Sequence, residues 1–538
     1  MDKKYIELAI KNISKYGDTD IFPFPIENHM LYDEADKVVP FIQKLHKDHK
    51  TYLDANPPQI IRTCSPVGYT GLRWATQIEP YWNIYFLSLV LSLSEEIELQ
   101  RMPIEDETVH SYRIKLDHKE GTLYSLDSNW HSFQLSSLNL VKEDNSQYEF
   151  VVICDIADFY SRIYHHTLEN LLKDLENTHG DHSQILRLLT VISGGTSYGL
   201  PIGGAASRIL AELFLTSIDN LMTLKGITFK RFVDDIHLFA SSEEEAHSHL
   251  NELSISLMST EGLTLQKYKT QILSKKEFIH IVKTKISADS DDKNSKVRAQ
   301  FMALPINYDP YSESADDDYE KIKSELDKFD ILDLLNSELR KSRIHQAFSK
   351  HLLRSFKALE PQTVSYAFDA ISNKLEHLAP IFPNIMMAAA SNFDKLTESS
   401  RENLLDKLRS LVISDSYLLQ LELNAVYLIR VLGKEKSVLN QRVLNQVYSK
   451  FSESFFVKSW VILIYGRWRN QAWWTDKKNS YPSMSNWEKR SFFLASYFIG
   501  EKGGHWRKTS QKGLLEFHSI LKDWAIDKKK DSNWKLPI

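Results

Sequence analysis

Hydrophobic and polar positions follow a helical period along most of the chain and a strand pattern in one short region. Glu79–Arg101 has helical spacing with its apolar residues on roughly one face, and Ser207–Leu224 carries a similar apolar stripe. The segment YEFVVICDI is apolar almost throughout, as a buried strand is. ITFKRFV and IHLFA are typical of two short strands, separated by an Asp-Asp turn. We therefore expect residues 146–285 to combine helices with strands.

The second half of the chain is predicted to be all helical. Segments with a 3.6-residue period recur at intervals of roughly 35–45 residues, which indicates an irregular helical-repeat domain. Two polar stretches precede it, Ser287–Lys296 and NYDPYSESADDDYEK, and are predicted linkers or solvated loops. The expected organisation is an α+β part over residues 1–285, a polar and acidic linker over 286–320, and an all-α domain over 321–538.

Composition narrows the class of protein. The 538 residues are 42% hydrophobic and 25% charged with a net charge of -5, which fits a globular chain and excludes a disordered one. The 18 glycines and 16 prolines are too few for a collagenous chain. Cys64 and Cys154 cannot form a disulfide framework and favour a reducing, cytoplasmic location. No stretch reaches the about 20 apolar residues of a membrane span, so we expect no membrane segment.

Positive charge collects at the C-terminal end. Residues 451–538 hold 16 Lys and Arg against 8 Asp and Glu, and they hold eight of the eleven tryptophans. Cations contact phosphates and indoles stack on bases, which favours a surface that faces nucleic acid. The alternative is that these tryptophans pack between helices, as large aromatic side chains usually do.

Three aspartates carry the strongest chemical signal. Asp155 ends an otherwise apolar strand, where an unpaired carboxylate is costly, so a metal ligand is one interpretation and an ion-paired structural residue the other. Asp234 and Asp235 are adjacent in the bend of a predicted hairpin. Carboxylates from neighbouring strand ends can share divalent cations, and oxygen ligands suit Mg²⁺ or Mn²⁺. Asp158 is predicted to serve the local turn.

Two further segments flank these acids. Five glycines lie between Gly194 and Gly204, where backbone can approach a nucleotide or template strand closely, although an ordinary loop before a helix is equally consistent. Lys269 follows in GLTLQKYKTQIL and can neutralise or protonate a leaving pyrophosphate, although most lysines are surface residues. The adjacent His165 and His166 could indicate a metal site, but the start of a helix explains them better.

Together these segments resemble the palm of reverse transcriptases. CDIADFY resembles motif A, GLPIGGAASRILA motif B, FVDD the aromatic-x-Asp-Asp box of motif C, and GLTLQKYKT motif D. The SYR segment, Ser111–Arg113, and the region around Arg73 are similar to the fingers region of reverse transcriptases. DIADFYSRIYHH and the long helical second half resemble the bacterial abortive-infection (Abi) and defence-associated members.

The resemblance implies a site and its ligands. Asp155, Asp234 and Asp235, with the backbone of Ile156, would hold two Mg²⁺ or Mn²⁺ ions. The residues expected to contact the incoming dNTP are Tyr160 under the sugar, Gly203, Lys269, Arg113 and Arg73. Ile202 stands where family members often carry glutamine, so the side chain cannot hydrogen-bond a nucleotide or template.

The resemblance also implies the activity. We expect a DNA polymerase of the reverse-transcriptase type in anti-phage defence, a homo-oligomer with a single-stranded DNA product, working without a template and from a protein hydroxyl. Candidate priming residues are Tyr16, Tyr32 and Tyr52, although most tyrosines in such positions are ordinary structural residues. The alternatives are RNA-templated cDNA synthesis and a non-catalytic sensor or scaffold that binds nucleic acid.

Overall fold

The computed structural model describes residues 1–143, 146–175, 181–287, 295–302, 304, 306, 323–510 and 515–538. The chain divides into two compact units. The first contains residues 1–61 and 75–286, and the second contains residues 62–74 and 287–538. The predicted linkers at 287–296 and 307–321 lie almost entirely outside the described residues.

The first unit mixes helices with two sheets, one of two strands and one of four. The strands of the chain are β1 (Ile61–Val67), β2 (Gly71–Gln77), β3 (Ile114–Asp117), β4 (Thr122–Tyr124), β5 (Phe150–Asp155), β6 (Phe229–Phe232), β7 (Asp235–Ala240) and β8 (Gln271–Ser274). Most of β1 and β2, within residues 62–74, belongs to the second unit. The helices of the first unit are α1 (Lys3–Tyr16), α2 (Ile26–Asp33), α3 (Ala35–Lys47), α4 (His49–Ala55), α5 (Pro80–Ser92), α6 (Ser94–Gln100), α7 (Trp130–Lys142), α8 (Phe159–Arg162), α9 (His165–Lys173), α10 (Asp181–Ile192), α11 (Ala205–Phe214), α12 (Thr216–Leu224), α13 (Glu243–Ser256) and α14 (Lys275–Ser287).

A four-stranded antiparallel sheet is the centre of the first unit. Its strand order is β6-β7-β5-β8, so the apolar strand β5 lies inside the sheet, as its sequence predicts. Val151, Phe239 and Leu273 face one side of the sheet and pack with α7 and α14 through Val141 and Phe278. Burial of these apolar side chains fixes the register that brings the strand ends together.

Two helices predicted as continuous are each broken. Glu79–Arg101 forms α5 and α6 with a break at Leu93, and Ser207–Leu224 forms α11 and α12 with a break at Leu215. The prediction of a one-sided apolar face for the first segment is also wrong, because Pro80–Leu91 is buried on all sides. Helices from both ends of the unit surround α5, so its polar residues are buried as well.

Apart from the strand residues within 62–74, the second unit is helical, as the sequence predicts. Its helices are α15 (Ser295–Met302), α16 (Ile331–Leu339), α17 (Gln346–Ser355), α18 (Pro361–Ser372), α19 (Phe382–Asn392), α20 (Glu398–Ile413), α21 (Glu422–Leu432), α22 (Val438–Lys450), α23 (Phe455–Arg467), α24 (Gln471–Lys477), α25 (Asn486–Ser496), α26 (Glu501–Ser510) and α27 (Glu516–Lys528). From α16 to α21 each helix packs against the second helix after it, the arrangement typical of stacked helix pairs. None of the described helices combines the length and apolar character needed to cross a bilayer.

The C-terminal tryptophans belong mainly to the helix core. Five of the eight are buried, and the other three are half-buried. Trp474 stacks on Phe492 with ring centroids 4.9 Å apart, and both belong to an apolar cluster with Ile462. Close packing also explains Gly466, where a Cβ atom would lie 2.7 Å from that of Ala495. The packing interpretation therefore holds for the five buried tryptophans, which cannot form a base-stacking surface.

A buried polar cluster fixes the segment after α1. Asp18 accepts a hydrogen bond from Gln77 Nε2 at 3.0 Å, and Asn28 Nδ2 lies 3.5 Å from its other carboxylate oxygen. Asp18 and Thr19 line a small cavity with Pro201 and Gly204 of the glycine-rich loop. Burial raises the pKa of Asp18 to about 6.

The first prediction concerns the pH dependence of stability. The native state keeps a proton on Asp18 that the unfolded state, with a pKa of 3.8, releases earlier. Ionisation of Asp18 therefore destabilises the fold as the pH rises from about 4 to about 6, by up to about 3 kcal/mol. We expect Asp18→Asn to raise the denaturation midpoint relative to wild type by an amount that grows across this range. Asp36→Asn, at an exposed carboxylate, is the control; an Asp18→Asn effect independent of pH would contradict the assignment.

Candidate active site

The sheet brings two of the predicted aspartates face to face. β5 and β7 pair in antiparallel register, with Asp155 at the end of one strand opposite Asp235 at the start of the other. Beyond the strand end, the Ile156 backbone N–H donates to the Asp234 carbonyl at 3.1 Å. The strand ends thus place Asp155, Ile156, Asp234 and Asp235 together, as the motif spacing predicts.

The turn that carries Asp234 is strained and lies in a buried environment. Val233 has a φ of +57°, which is unfavourable for a β-branched residue. Burial raises the pKa of Asp234 to about 7, and the negative charges of Asp155 and Asp235 add to this effect. The cluster therefore concentrates more negative charge than the surrounding protein neutralises.

Lys269 supplies one compensating charge. Hydrogen bonds attach the segment before β8 to the end of β5. Gln266 N–H donates to the Asp155 carbonyl at 2.7 Å, and Lys269 N–H donates to the Gln266 carbonyl at 3.0 Å. The Lys269 ammonium contacts the Asp155 carboxylate. Burial works to lower the pKa of Lys269, but the hydrogen bond and charge of Asp155 outweigh it and raise the pKa. Lys269 thus lies against the carboxylate cluster, and its predicted role toward a leaving pyrophosphate stays a prediction.

Tyr160 and the glycine-rich loop meet beside this cluster. Leu200 N–H donates to the Tyr160 carbonyl at 2.8 Å. Burial raises the pKa of Tyr160, and the charges of Tyr112, Glu212 and Asp234 raise it further. Ile202 is half-buried, and its carbonyl accepts from Thr76 N–H at 3.1 Å.

Gly203 is required by a contact within the chain. It has a φ of +123°, and a Cβ atom there would lie 3.2 Å from Thr19 Cβ. The close approach that this glycine permits is thus made by the segment after α1. Its predicted contact with a nucleotide stays a prediction.

The predicted fingers arginines have different surroundings. Arg73 is exposed on β2 within the second unit. Arg113 is buried, donates to the Met102 carbonyl at 2.8 Å and pairs with Glu98 at 2.6 Å. A triphosphate contact from Arg113 would have to replace these partners.

Arg113 is one end of a chain of alternating charges that the sequence did not reveal. Successive N–O distances along it are 2.6, 3.0, 2.8, 3.1 and 2.6 Å. All of its side chains are buried except that of Glu98, which is half-buried. Its members, in order, are Arg113, Glu98, Arg101, Glu212, Arg231 and Asp219.

Arg231 connects this chain to the aspartate turn. Its guanidinium makes a bidentate pair with Asp219 at 2.6 and 2.8 Å and donates to the Val233 carbonyl at 3.1 Å. Burial works to lower the pKa of Arg231, but the charges of Asp219 and Glu212 raise it. The sequence signal for this role is weak: Arg231 follows a second charged residue, Lys230, in the short strand β6.

The remaining candidates have varied exposure. Tyr32 is 71% exposed, Tyr16 donates to the Glu120 carbonyl at 3.2 Å, and half-buried Tyr52 packs against Trp82 with ring centroids 5.8 Å apart. His165 starts α9 and its Nε2 lies 2.8 Å from the Gly199 carbonyl oxygen, which supports the helix-start interpretation. Burial raises the pKa of the Cys154 thiol, so it is not a reactive cysteine.

The carboxylates fit a divalent cation chemically. Among the residues that the structure describes, no three or more His, Cys, Asp or Glu side chains are arranged to hold a metal ion. The Lys269 ammonium instead lies on the Asp155 carboxylate. The donors are nevertheless hard oxygens. Burial raises the pKa of Asp234, and the charges of Asp155 and Asp235, which a cation would offset, raise it further.

Individual known proteins resemble this chain only weakly. A stretch of 147 residues is 26% identical to the mitochondrial ATPase synthesis protein 25 of Vanderwaltozyma polyspora, covering 27% of this chain and 23% of that protein. The match therefore spans about a quarter of that relative.

Among solved structures, telomerase from Candida albicans, in complex with a TWJ fragment of telomeric RNA, has a TM-score of 0.30 and 12% identity over 70% of this chain and 68% of its own. Apo telomerase from Candida tropicalis has a TM-score of 0.31 and 11% identity over 76% and 73%. These TM-scores are too low to establish a shared fold.

The family comparison is more specific. Residues 108–298 match the model described as reverse transcriptase (RNA-dependent DNA polymerase). The match covers all four motifs and every member of the carboxylate cluster. This chain therefore contains a reverse transcriptase domain.

Proposed function

We propose that the chain is a divalent-cation-dependent DNA polymerase that adds deoxynucleotides to a growing strand. The observation that carries this proposal is the register of β5 and β7, which sets Asp155 opposite Asp235 with Asp234 in the adjoining turn. The reverse transcriptase domain supports nucleotidyl transfer as the reaction class. Retention of all three aspartates disfavours a purely structural sensor.

The proposed roles follow from the contacts. Asp155, Asp234, Asp235 and the backbone of Ile156 would hold two Mg²⁺ ions, with Mn²⁺ as a substitute. Bound cations of this kind activate an attacking hydroxyl and stabilise the leaving oxygen. Lys269 neutralises Asp155 here and, when a cation replaces it, would be free to neutralise or protonate the departing pyrophosphate. Arg231 would hold the turn that presents Asp234.

The finer proposal is untemplated synthesis of single-stranded DNA in anti-phage defence by a homo-oligomer. It rests on the resemblance to defence-associated enzymes and on Ile202, whose side chain offers no hydrogen bond to a template. Synthesis would start from a tyrosine hydroxyl, and Tyr32 is the most exposed of the three candidates. RNA-templated synthesis is the alternative.

The deciding experiment is incorporation of labelled dNTPs by the purified chain with Mg²⁺, with and without an RNA or DNA template. Incorporation without template, into a product whose mobility changes on protease treatment, supports the finer proposal. Incorporation that requires a template supports the alternative. No incorporation under either condition would contradict the polymerase assignment.

The second prediction tests the carboxylate cluster. Asp234→Asn keeps the shape of the side chain but removes the negative charge, so we expect incorporation to fall by at least about 100-fold. Asp158→Asn is the matched control, because Asp158 is exposed and has a φ of +50°, which asparagine tolerates. Near-normal incorporation by Asp234→Asn would contradict the proposed role.

The third prediction concerns the choice of sugar. If the Tyr160 ring lies under the sugar, it leaves no room for a 2′-hydroxyl. We expect Tyr160→Ala to raise rNTP relative to dNTP incorporation, while Tyr160→Phe keeps the ring and the discrimination. The measurement is the ratio of kcat/KM for the two substrates, and an unchanged ratio in Tyr160→Ala would refute this role.

The fourth prediction concerns Arg231 as a positioning residue. Arg231→Lys keeps a positive charge but cannot make the bidentate pair and the Val233 contact together. We expect kcat to fall by about 10–100-fold, with the KM for dNTP changed much less, because the turn moves while the substrate contacts remain. Arg162→Lys, at an exposed arginine, is the control. A loss of thermal stability with unchanged kcat would show that Arg231 is only structural.

A further inference from the structure

A cationic cleft lies in the second unit, outside the reverse transcriptase domain. It has a volume of about 500 Å³ and lies where α16 and α18 end. Its polar lining is Asn336, Arg340, Lys341, Asn373, Lys374 and His377. No acidic side chain lines it.

The positive charge of this cationic cleft is not compensated locally. Lys341 pairs with Glu338 at 2.5 Å, but Glu338 also pairs with buried Arg298. Within the described parts of the chain, Arg340 and Lys374 form no ion pair with a carboxylate, and both are exposed.

The C-terminal ends of α16 and α18 explain only in part why cations line this cleft. Arg340 caps the C-terminal end of α16, and Asn373 caps that of α18. Cations are favoured there because the last carbonyls carry partial negative charge. That preference acts on each helix separately and does not require cations from both helices to line one cleft.

An aromatic ring lies beside the cleft. His377, which is half-buried, is one of the residues that line the cleft. The Tyr69 ring, 36% exposed, lies beside this histidine with ring centroids 6.3 Å apart. Ile344 N–H donates to its hydroxyl at 3.0 Å, which holds the ring in place. Cations, amide groups and an accessible aromatic ring together are the groups that bind a phosphate and its attached base.

We propose that the cationic cleft binds the phosphate backbone of a single nucleic-acid strand. Arg340 and Lys374 contact phosphate oxygens, and Tyr69 offers a surface on which a base stacks. Exposure of both cations favours a strand that passes along an open cleft over a small molecule enclosed in it. This site goes beyond the proposed polymerase chemistry and does not depend on it.

The test measures binding without synthesis. The full chain carrying Asp234→Asn is titrated with a fluorescent 12-nucleotide single strand between about 50 and 200 mM salt. Each phosphate contact contributes about 0.7 to the slope of log affinity against log salt. We expect the added pair Arg340→Gln and Lys374→Gln to weaken binding about 10-fold or more at low salt and to lower the slope by about 1.4.

A matched pair, Arg442→Gln and Lys407→Gln, is the control, because both residues are exposed and lie outside the cleft. The strand should also slow amide hydrogen exchange at residues 336–341 and 373–377. Equal affinity of the two double variants, or unchanged exchange at these residues, would overturn the proposal. Competition by ATP or inorganic phosphate as strong as that of the oligonucleotide would also overturn it, because the cleft would then be a small-anion site.

Discussion

A largely buried chain of six alternating charges organises the part of this protein that contains the reverse transcriptase domain. It runs from Arg113 through Glu212 to Asp219, and its three arginines balance its three acids. Each charge taken from water costs several kcal/mol unless a partner compensates it, so removal of one member leaves another charge buried and unpaired. The chain therefore ties α6, the segment around Ser111, α11, α12 and β6 into one arrangement.

The balanced charge chain adjoins a turn where the negative charges are not balanced. Arg231 belongs to the balanced chain and also holds the Val233 carbonyl, next to the strained turn that carries Asp234. At that turn the charges are unbalanced, because partial burial raises the pKa of Asp234 and the charges of Asp155 and Asp235 raise it further. A rigid, neutralised support beneath a cluster of like charges is what a site for cations requires, since the carboxylates would otherwise move apart.

Apolar packing, and not a buried charge chain, stabilises the second unit. Its helices pack through apolar and aromatic side chains, such as Trp474 on Phe492 and the close contact at Gly466. Its cations lie outside this core, where some pair with acids and others, such as Arg340 and Lys374, do not. Apolar burial stabilises the helix stack without using these charges, which leaves them available for a ligand.

The sequence by itself determined the local features. Strand β5, the helices of the second half, the aspartate cluster and Lys269 follow from short patterns, because apolar period and residue spacing act over a few neighbours. The breaks at Leu93 and Leu215, the burial of the C-terminal tryptophans and the contact of Gly203 with Thr19 were not predictable, because segments distant in the sequence impose them. The charge chain through Arg231 depends on the same kind of contact, because Glu98, Glu212 and Asp219 are ordinary helical acids until the tertiary structure places them beside three arginines.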